Sequence, residues 1–203
     1  MNVEVREETV PWAFTMPSGK ELCRIVEAKL THEQFNGEMT PELTRINLER
    51  GDGVCLVVYL EESDEVLLVE QFRYPAYAGH PEDNRADKGW LLELVAGMKD
   101  ADGPAVAERE LQEETGCKLT APLELLTTFY VSPGGTSERM EVYLARVKHL
   151  DGIKDRAGIA QEGEDIRPHV IPLSEALEMI KDGRIEDGKT MIGLLMLKSK
   201  LGR

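Results

Sequence analysis

The 203-residue sequence has no uninterrupted apolar run near the ~20 residues that a membrane helix needs, so a helical membrane span is not expected. Its first ten residues, MNVEVREETV, are acidic and hold no apolar stretch, which reads as the absence of a secretion signal. Cysteine is scarce. Cys23, Cys55 and Cys117 are odd in number, far apart and without a C-x-x-C pair, so neither a disulfide framework nor a zinc site is expected. Together these absences point to a reducing, cytoplasmic setting. Positive charge is also in deficit, with 24 Lys and Arg against 38 Asp and Glu and a formal net charge of −14. A nucleic-acid surface is normally basic, so neither nucleic acid nor membrane is expected as a partner. A small phosphorylated ligand remains compatible, because a bound cation inverts the local field. No internal repeat or low-complexity linker is present.

What the chain does hold is ordinary globular material, 41% hydrophobic and 31% charged, long enough for one sizeable domain or a domain with a small appendage. Strand patterns occur at LCRIVEAKL, ELTRINLER and VCLVVYLEESDEVLLVEQFRY, the last being two strands around a tight turn near Ser63 and Asp64. Residues 75–89 read as a polar loop, and WLLELVAG as one strand ending on a glycine. PAVAERELQEET predicts a helix, with an early proline and Gly116 as its stop. Strands follow at LELLTTFYV and MEVYLARV, separated by SPGGTSER, and then a loop rich in Gly, Asp and Glu over 151–165. The prolines of DIRPHVIPL predict an edge strand. SEALEMIKDG and KTMIGLLMLKSKL predict terminal amphipathic helices. Many strands with few helices predict an α+β layer structure, not a doubly wound sheet.

The predicted central helix raises an electrostatic problem. At ~100° per residue, Glu110, Glu113 and Glu114 share an arc of roughly 100°, with Glu108 on the other side. Like charges at these spacings cost about 0.2–0.5 kcal/mol per pair even when solvated. Arg109 stands four residues before Glu113 and is expected to pair with it; Ala107 and Leu111 offer an apolar stripe for docking. One reading is a solvated acidic face. The other is a site for a hard divalent cation such as Mg²⁺, which favours carboxylate oxygens and recruits substrate phosphates to complete its shell.

The wider segment GMKDADGPAVAERELQEETGC, Gly97 to Cys117, resembles the Nudix box. Its second half matches in Arg109, Glu110, Leu111, Glu113, Glu114, Gly116 and Cys117. The first half departs from the pattern. The spacer from Gly97 to Arg109 is two residues shorter than usual and lacks its glutamate, with Gly103 near that place and Asp100 and Asp102 the acids available in its stead. ERG, EQFRYPAY, WLLELVAG, SPGGTSER and EGEDIRPHV are similar to the ADP-ribose pyrophosphatase branch of the Nudix hydrolases. The resemblance implies an α/β/α sandwich around a mixed β-sheet over residues 41–203. Residues 1–40 would then form a small N-terminal β region taking part in homodimerisation.

For the chemistry, the resemblance implies that Glu110 and Glu114 ligate metal together with the backbone carbonyl of Ala96, with Glu113 as an additional or water-mediated ligand. More than one Mg²⁺ (or Mn²⁺) is implied, since clustered metals stabilise both the attacking and the leaving oxygen of a diphosphate. Glu162 matches the position of the general base, with Glu164 as its alternate, on a loop in which Gly158 and Gly163 permit closure. Arg45 and Arg73 correspond to arginines that hold the nucleotide, a role suited to a guanidinium. Ser132, Gly134 and Gly135 permit close backbone approach to substrate, and Glu138 corresponds to a residue near the terminal ribose. The implied activity is hydrolysis of ADP-ribose, a small nucleoside diphosphate sugar, to AMP and ribose 5-phosphate. GDP-mannose or another nucleoside diphosphate sugar is the alternative substrate, and a non-catalytic nucleotide sensor is the alternative class.

Overall fold

The computed structural model describes residues 1–82, 88–119, 121–159 and 163–203. The chain forms two compact units. The first comprises Met1–Asp52 and Tyr130–Arg139, the second Gly53–Phe129 and Met140–Arg203.

The first unit is built on a three-stranded antiparallel sheet of β1 (Val3–Thr15), β2 (Glu21–His32) and β3 (Leu43–Glu49), in that order. The first of these strands is not visible in the sequence pattern. Its alternation is broken by register shifts between Val5 and Glu7 and between Thr9 and Trp12, and Pro11 lies in the second gap. Every residue of β1 is exposed, so no burial imposes a clean period of two. Its large apolar side chains stand in solvent, among them Val3, Val5, Val10, Trp12 and Phe14, and the Trp12 and Phe14 rings stack 6.4 Å apart.

The second unit is organised by β4 (Gly53–Leu60), all eight residues of which are buried. A strand covered on both faces reads as a continuous apolar run, as VCLVVYL does. The period of two sends Val54, Leu56, Val58 and Leu60 to one core and Cys55, Val57 and Tyr59 to the other. The neighbour β5 (Glu65–Phe72) divides the same way, with Leu67 and Val69 against Val66 and Leu68. The turn between them carries Asp64 at φ 57, the left-handed region, where an aspartate is tolerated. β5 leads into a short helix, α1 (Tyr74–Ala78), where the sequence pattern predicts loop; Pro75 supplies the fixed φ of a first helical turn. WLLELVAG forms two strands, not one: β6 (Trp90–Glu93) pairs with β5, and β7 (Val95–Met98) pairs with β4.

Then come α2 (Gly103–Thr115), β8 (Leu123–Tyr130), β9 (Arg139–Val147), β10 (Arg167–Pro172), α3 (Leu173–Lys181) and α4 (Gly188–Lys200). The main sheet runs β10-β5-β4-β9-β8. It is mixed, because β4 and β9 are parallel while β4 pairs antiparallel with β5 and β7. The proline-bearing β10 lies at the edge, as expected of a strand short of donors. Val106, Ala107 and Leu111 of α2 pack into the first core; Leu173, Ala176 and Met179 of α3 and Leu194 and Leu197 of α4 pack into the second. Helices on both faces of a mixed sheet give the expected α/β/α sandwich. No described helix is long and apolar enough to cross a membrane.

Candidate active site

The acidic helix α2 docks by its apolar stripe. Burying Val106, Ala107 and Leu111 turns Glu114 inward and leaves Glu108 exposed. Gly116, at φ 81, caps the helix in the left-handed conformation that glycine adopts without strain, and its N–H reaches the Gln112 carbonyl at 2.9 Å. At the other end Gly103 lies against β9, where a Cβ would come within 2.5 Å of the Tyr143 hydroxyl and Glu141 Oε2.

Glu114 is 4% exposed. The Ala96 backbone of β7 stabilises its charged form, yet its Oε2 is buried with no hydrogen-bond partner. Burial, reinforced by the charge of Glu110, pushes Glu114 up to about 8. Glu110 is also raised, first by burial and then by the charges of Glu113 and Glu164, against the pull of Arg109. Its side chain lies directly over Gly97, so that a Cβ there would come within 2.6 Å of Glu110 Cγ and closer still to the carboxylate. The glycine is therefore required by the approach of a glutamate, not by its own backbone angle. Arg109 does not take the expected partner Glu113: its Nη1 bonds Asp100 and its Nη2 bonds Glu110, each at 3.0 Å. This bridge ties the short 98–102 segment to the helix.

The half-buried Glu113 contributes its backbone carbonyl to the Gly158 N–H at 3.1 Å, while Lys154 N–H reaches the Thr115 carbonyl at 3.0 Å. Lys154 and Gly158 are thus fastened to the end of α2. Gly158, at φ 97, leaves no room for a Cβ beside Glu164, which is exposed and accepts the Ile159 N–H at 3.0 Å. Glu162 lies outside the described residues. Ala96, Glu110, Glu113, Glu114 and Glu164 are therefore one neighbourhood, all in the second unit.

Arg45, Ser132, Gly134, Gly135 and Glu138 belong to the first unit. Arg45 is exposed on β3 and its Nη1 bonds the Thr44 carbonyl. The 132–138 segment is stapled to β3. Gly135 carbonyl accepts from Leu48 N–H at 2.9 Å, Thr136 Oγ1 donates to the Leu48 carbonyl at 2.8 Å, and Ser137 Oγ donates to Glu49 at 2.6 Å. Ser132 carbonyl closes the turn by accepting from both Gly135 and Thr136. Gly134 and Gly135 are exposed, and a Cβ on either would meet nothing within 4 Å. Glu138 is nearly buried and faces Arg50 at 3.7 Å.

The NUDIX domain family matches residues 49–192. The chain belongs to that family. It is 37% identical over 177 residues to the ADP-ribose pyrophosphatase of Escherichia coli, an alignment covering 84% of this chain and 78% of that protein. It is also 37% identical over 158 residues to the GDP-mannose pyrophosphatase of Pectobacterium atrosepticum, covering 77% of each. Among solved structures it is similar to one titled "Crystal structure of ADP compounds hydrolase", with a TM-score of 0.64 and 18% identity over 98% of this chain and 96% of that one. That structure shares the fold. The protein is a Nudix hydrolase, and the acids of α2 are those of its Nudix box.

The donors of this Nudix box suit a hard cation. Among the described residues no group of three or more His, Cys, Asp or Glu side chains forms a ready-made metal cage. Mg²⁺ does not require one, since it keeps several waters and takes one or two carboxylates plus substrate oxygens. A buried carboxylate oxygen with no donor, next to a second desolvated carboxylate, is a pair of hard ligands short of a positive charge.

Two further residues of this Nudix hydrolase went unread in the sequence. Glu93, 1% exposed at the end of β6, accepts from Arg73 Nε at 2.9 Å and Nη2 at 2.7 Å, and from Lys189 Nζ at 2.6 Å. Burial alone would raise this carboxyl; the Arg73 hydrogen bonds and the Lys189 charge outweigh it and hold Glu93 below the usual range. The available signal was a lone acid inside the apolar run WLLELVAG, since a charge is seldom fully buried unless paired.

Proposed function

We propose that this Nudix hydrolase splits ADP-ribose at its diphosphate, giving AMP and ribose 5-phosphate, with Mg²⁺ or Mn²⁺ as cofactor. The observation that carries the reading is the desolvated pair Glu110 and Glu114, one oxygen of which is buried without a partner. The names of the relatives supply the substrate class. Glu110, Glu114 and the Ala96 carbonyl hold the metal, more than one ion being accommodated with the help of Glu113. When bound, the cation neutralises the diphosphate and lowers the barrier to attack by water. Glu162, or Glu164 in its place, accepts the proton of the attacking water. Arg73 and Arg45 hold phosphate oxygens, Glu138 meets the terminal ribose, and the Ser132, Gly134 and Gly135 backbone lies close to the substrate. A second copy of this chain covers β1, a reading supported by the exposed Val3, Val5, Trp12 and Phe14.

The test is AMP release from ADP-ribose with Mg²⁺, with Glu114→Gln and Glu162→Gln alongside and GDP-mannose in parallel. Turnover of ADP-ribose that collapses in Glu114→Gln is the expected result. A higher kcat/KM on GDP-mannose would move the assignment to the second substrate, the one for which the Pectobacterium relative is named. Equal turnover by Glu114→Gln would remove the ligand assignment.

A further inference from the structure

Arg73 follows the last residue of β5, and its guanidinium meets Glu93 side-on through Nε and Nη2. A bidentate arginine–carboxylate pair fixes both distance and plane. Among the described residues Nη1, on the opposite edge, has no hydrogen-bond partner, and the Arg73 side chain keeps 40% of its exposure. Arg73 and Glu114 lie near enough for their charges to interact, so the guanidinium belongs to the acid neighbourhood.

A second cation is attached to the same carboxylate. Lys189, with a side chain only 13% exposed, contacts Glu93 at 2.6 Å and Asp187 at 3.0 Å. Its position is dictated by the first turn of α4. Asp187 caps that helix by accepting the Thr190 N–H at 2.9 Å, and Thr190 Oγ1 in turn accepts the Leu94 N–H at 2.8 Å. Leu94 is the residue at which β6 and β7 part. Gly193 lets α4 sit directly on it, since a Cβ there would come within 2.5 Å of Leu94 Cδ1. The helix is thus anchored at Leu94, the residue next to Glu93, and Lys189 is delivered to the carboxylate by the anchor. With one cation, Glu93 would largely quench the Arg73 charge. With two, its charge is shared and Arg73 retains attraction for an anion.

From this arrangement we infer that Glu93 and Lys189 are positioning residues, which orient Arg73 and keep its free edge available to a diphosphate oxygen of the substrate. The inference rests on the reading of Arg73 as a substrate-holding residue. Neither Glu93 nor Lys189 touches the substrate; both act through Arg73.

The test is a steady-state comparison on ADP-ribose with Mg²⁺ of the full chain and of Arg73→Ala, Lys189→Met, Lys189→Arg, Glu93→Gln and the double variant Arg73→Ala/Lys189→Met. Lys189→Met keeps the Arg73 pair in place, so it remains informative if Glu93→Gln does not fold. The expected result is a KM raised about tenfold in Lys189→Met with kcat little changed, as for loss of an interaction made equally in ground and transition states. Lys189→Arg recovers most of that loss, and the double variant is no worse than Arg73→Ala. Losses that add in the double variant would reduce Lys189 to a fold-stabilising role and overturn the inference. A raised KM in Arg73→Ala with wild-type KM in Lys189→Met would overturn it equally, while sparing Arg73 itself. An unchanged KM in Arg73→Ala would instead remove the reading of Arg73, and the positioning inference with it.

Discussion

Replacing Glu114 by glutamine should remove most of a pH dependence of stability that the metal-free protein otherwise shows. The folded-state value of about 8 lies well above the 4.5 of an unburied glutamate. A raised carboxyl contributes stability that is fully present below the unfolded value and is lost as pH rises through the folded one. At ~1.4 kcal/mol per pH unit, the native state should lose about 3 kcal/mol between about pH 5.5 and about pH 7.5. Glu110, also raised, adds to the loss with the same sign. Glu93 works the other way, being held down: its stability is present above the unfolded value and is lost only in acid, below this window. In Glu114→Gln the amide fills the same space, but its NH₂ occupies the place of the orphaned oxygen. That costs about 1–3 kcal/mol at every pH. The slope, not the absolute stability, is therefore the quantity to measure. Urea unfolding in EDTA at several pH values gives it, with the midpoint falling steeply in the wild type and only shallowly in the variant. Saturating Mg²⁺ should then restore wild-type stability at the alkaline end, because a ligand that binds only the native state stabilises by mass action, and should leave the variant nearly unmoved. A wild-type slope that is flat in EDTA, or equally steep in Glu114→Gln, would refute the argument that this carboxylate is desolvated and unneutralised.

Gly97→Ala forces a methyl into the space of the Glu110 side chain and should cost about 1–3 kcal/mol of stability together with most of the activity; thermal melts with AMP-release assays would check both. Gly134→Ala and Gly135→Ala meet no atoms in the fold, so their stability should stay within about 0.5 kcal/mol of wild type while KM for ADP-ribose rises. An unchanged KM would mean that the backbone there does not approach the substrate. All three cysteines are free, with Cys55 and Cys117 buried and the Cys55 thiol pushed up to about 12 by burial. Titration with a thiol reagent should accordingly modify Cys23 alone in the native protein and all three after denaturation.

The fold was most legible where one physical constraint acted alone. VCLVVYL announces a strand, and β4 is that strand, buried along its whole length. The proline-rich DIRPHVIPL announces an edge, and β10 lies at one. Legibility failed where constraints competed. β1 carries no burial signal because none of its residues is buried, and its bulges break the alternation. The break at Leu94 is set from a distance of 96 residues by Thr190, which no local pattern reports. In the site, the Nudix-box glutamates were visible as a motif, but the partner of Arg109 was not. Spacing favours Glu113, whereas the folded 98–102 segment brings Asp100 to the guanidinium. The pairing of Glu93 with Arg73 and Lys189 joins three separate elements and is a property of the assembled sheet.

The shortened first half of the Nudix box follows from the same contacts. A segment between β7 and α2 need only return the chain so that Glu110 lies over Gly97 and Glu114 reaches Ala96. Pro104 at the start of the helix and Gly103 against Tyr143 begin α2 close to the sheet, which makes a longer spacer unnecessary. Arg109 then holds Asp100 and Glu110 together across the turn by ion pairing. Removing that bridge in Arg109→Ala should leave α2 folded, since Val106, Ala107 and Leu111 still dock it. It should nevertheless free the Glu110 carboxylate from its fixed place and leave its charge less compensated. The expected outcome is a modest loss of stability, under about 1 kcal/mol as for a partly exposed ion pair, with a disproportionate rise in the Mg²⁺ concentration needed for half-maximal activity. Wild-type Mg²⁺ dependence in Arg109→Ala would show that Gly97 alone sets the position of Glu110.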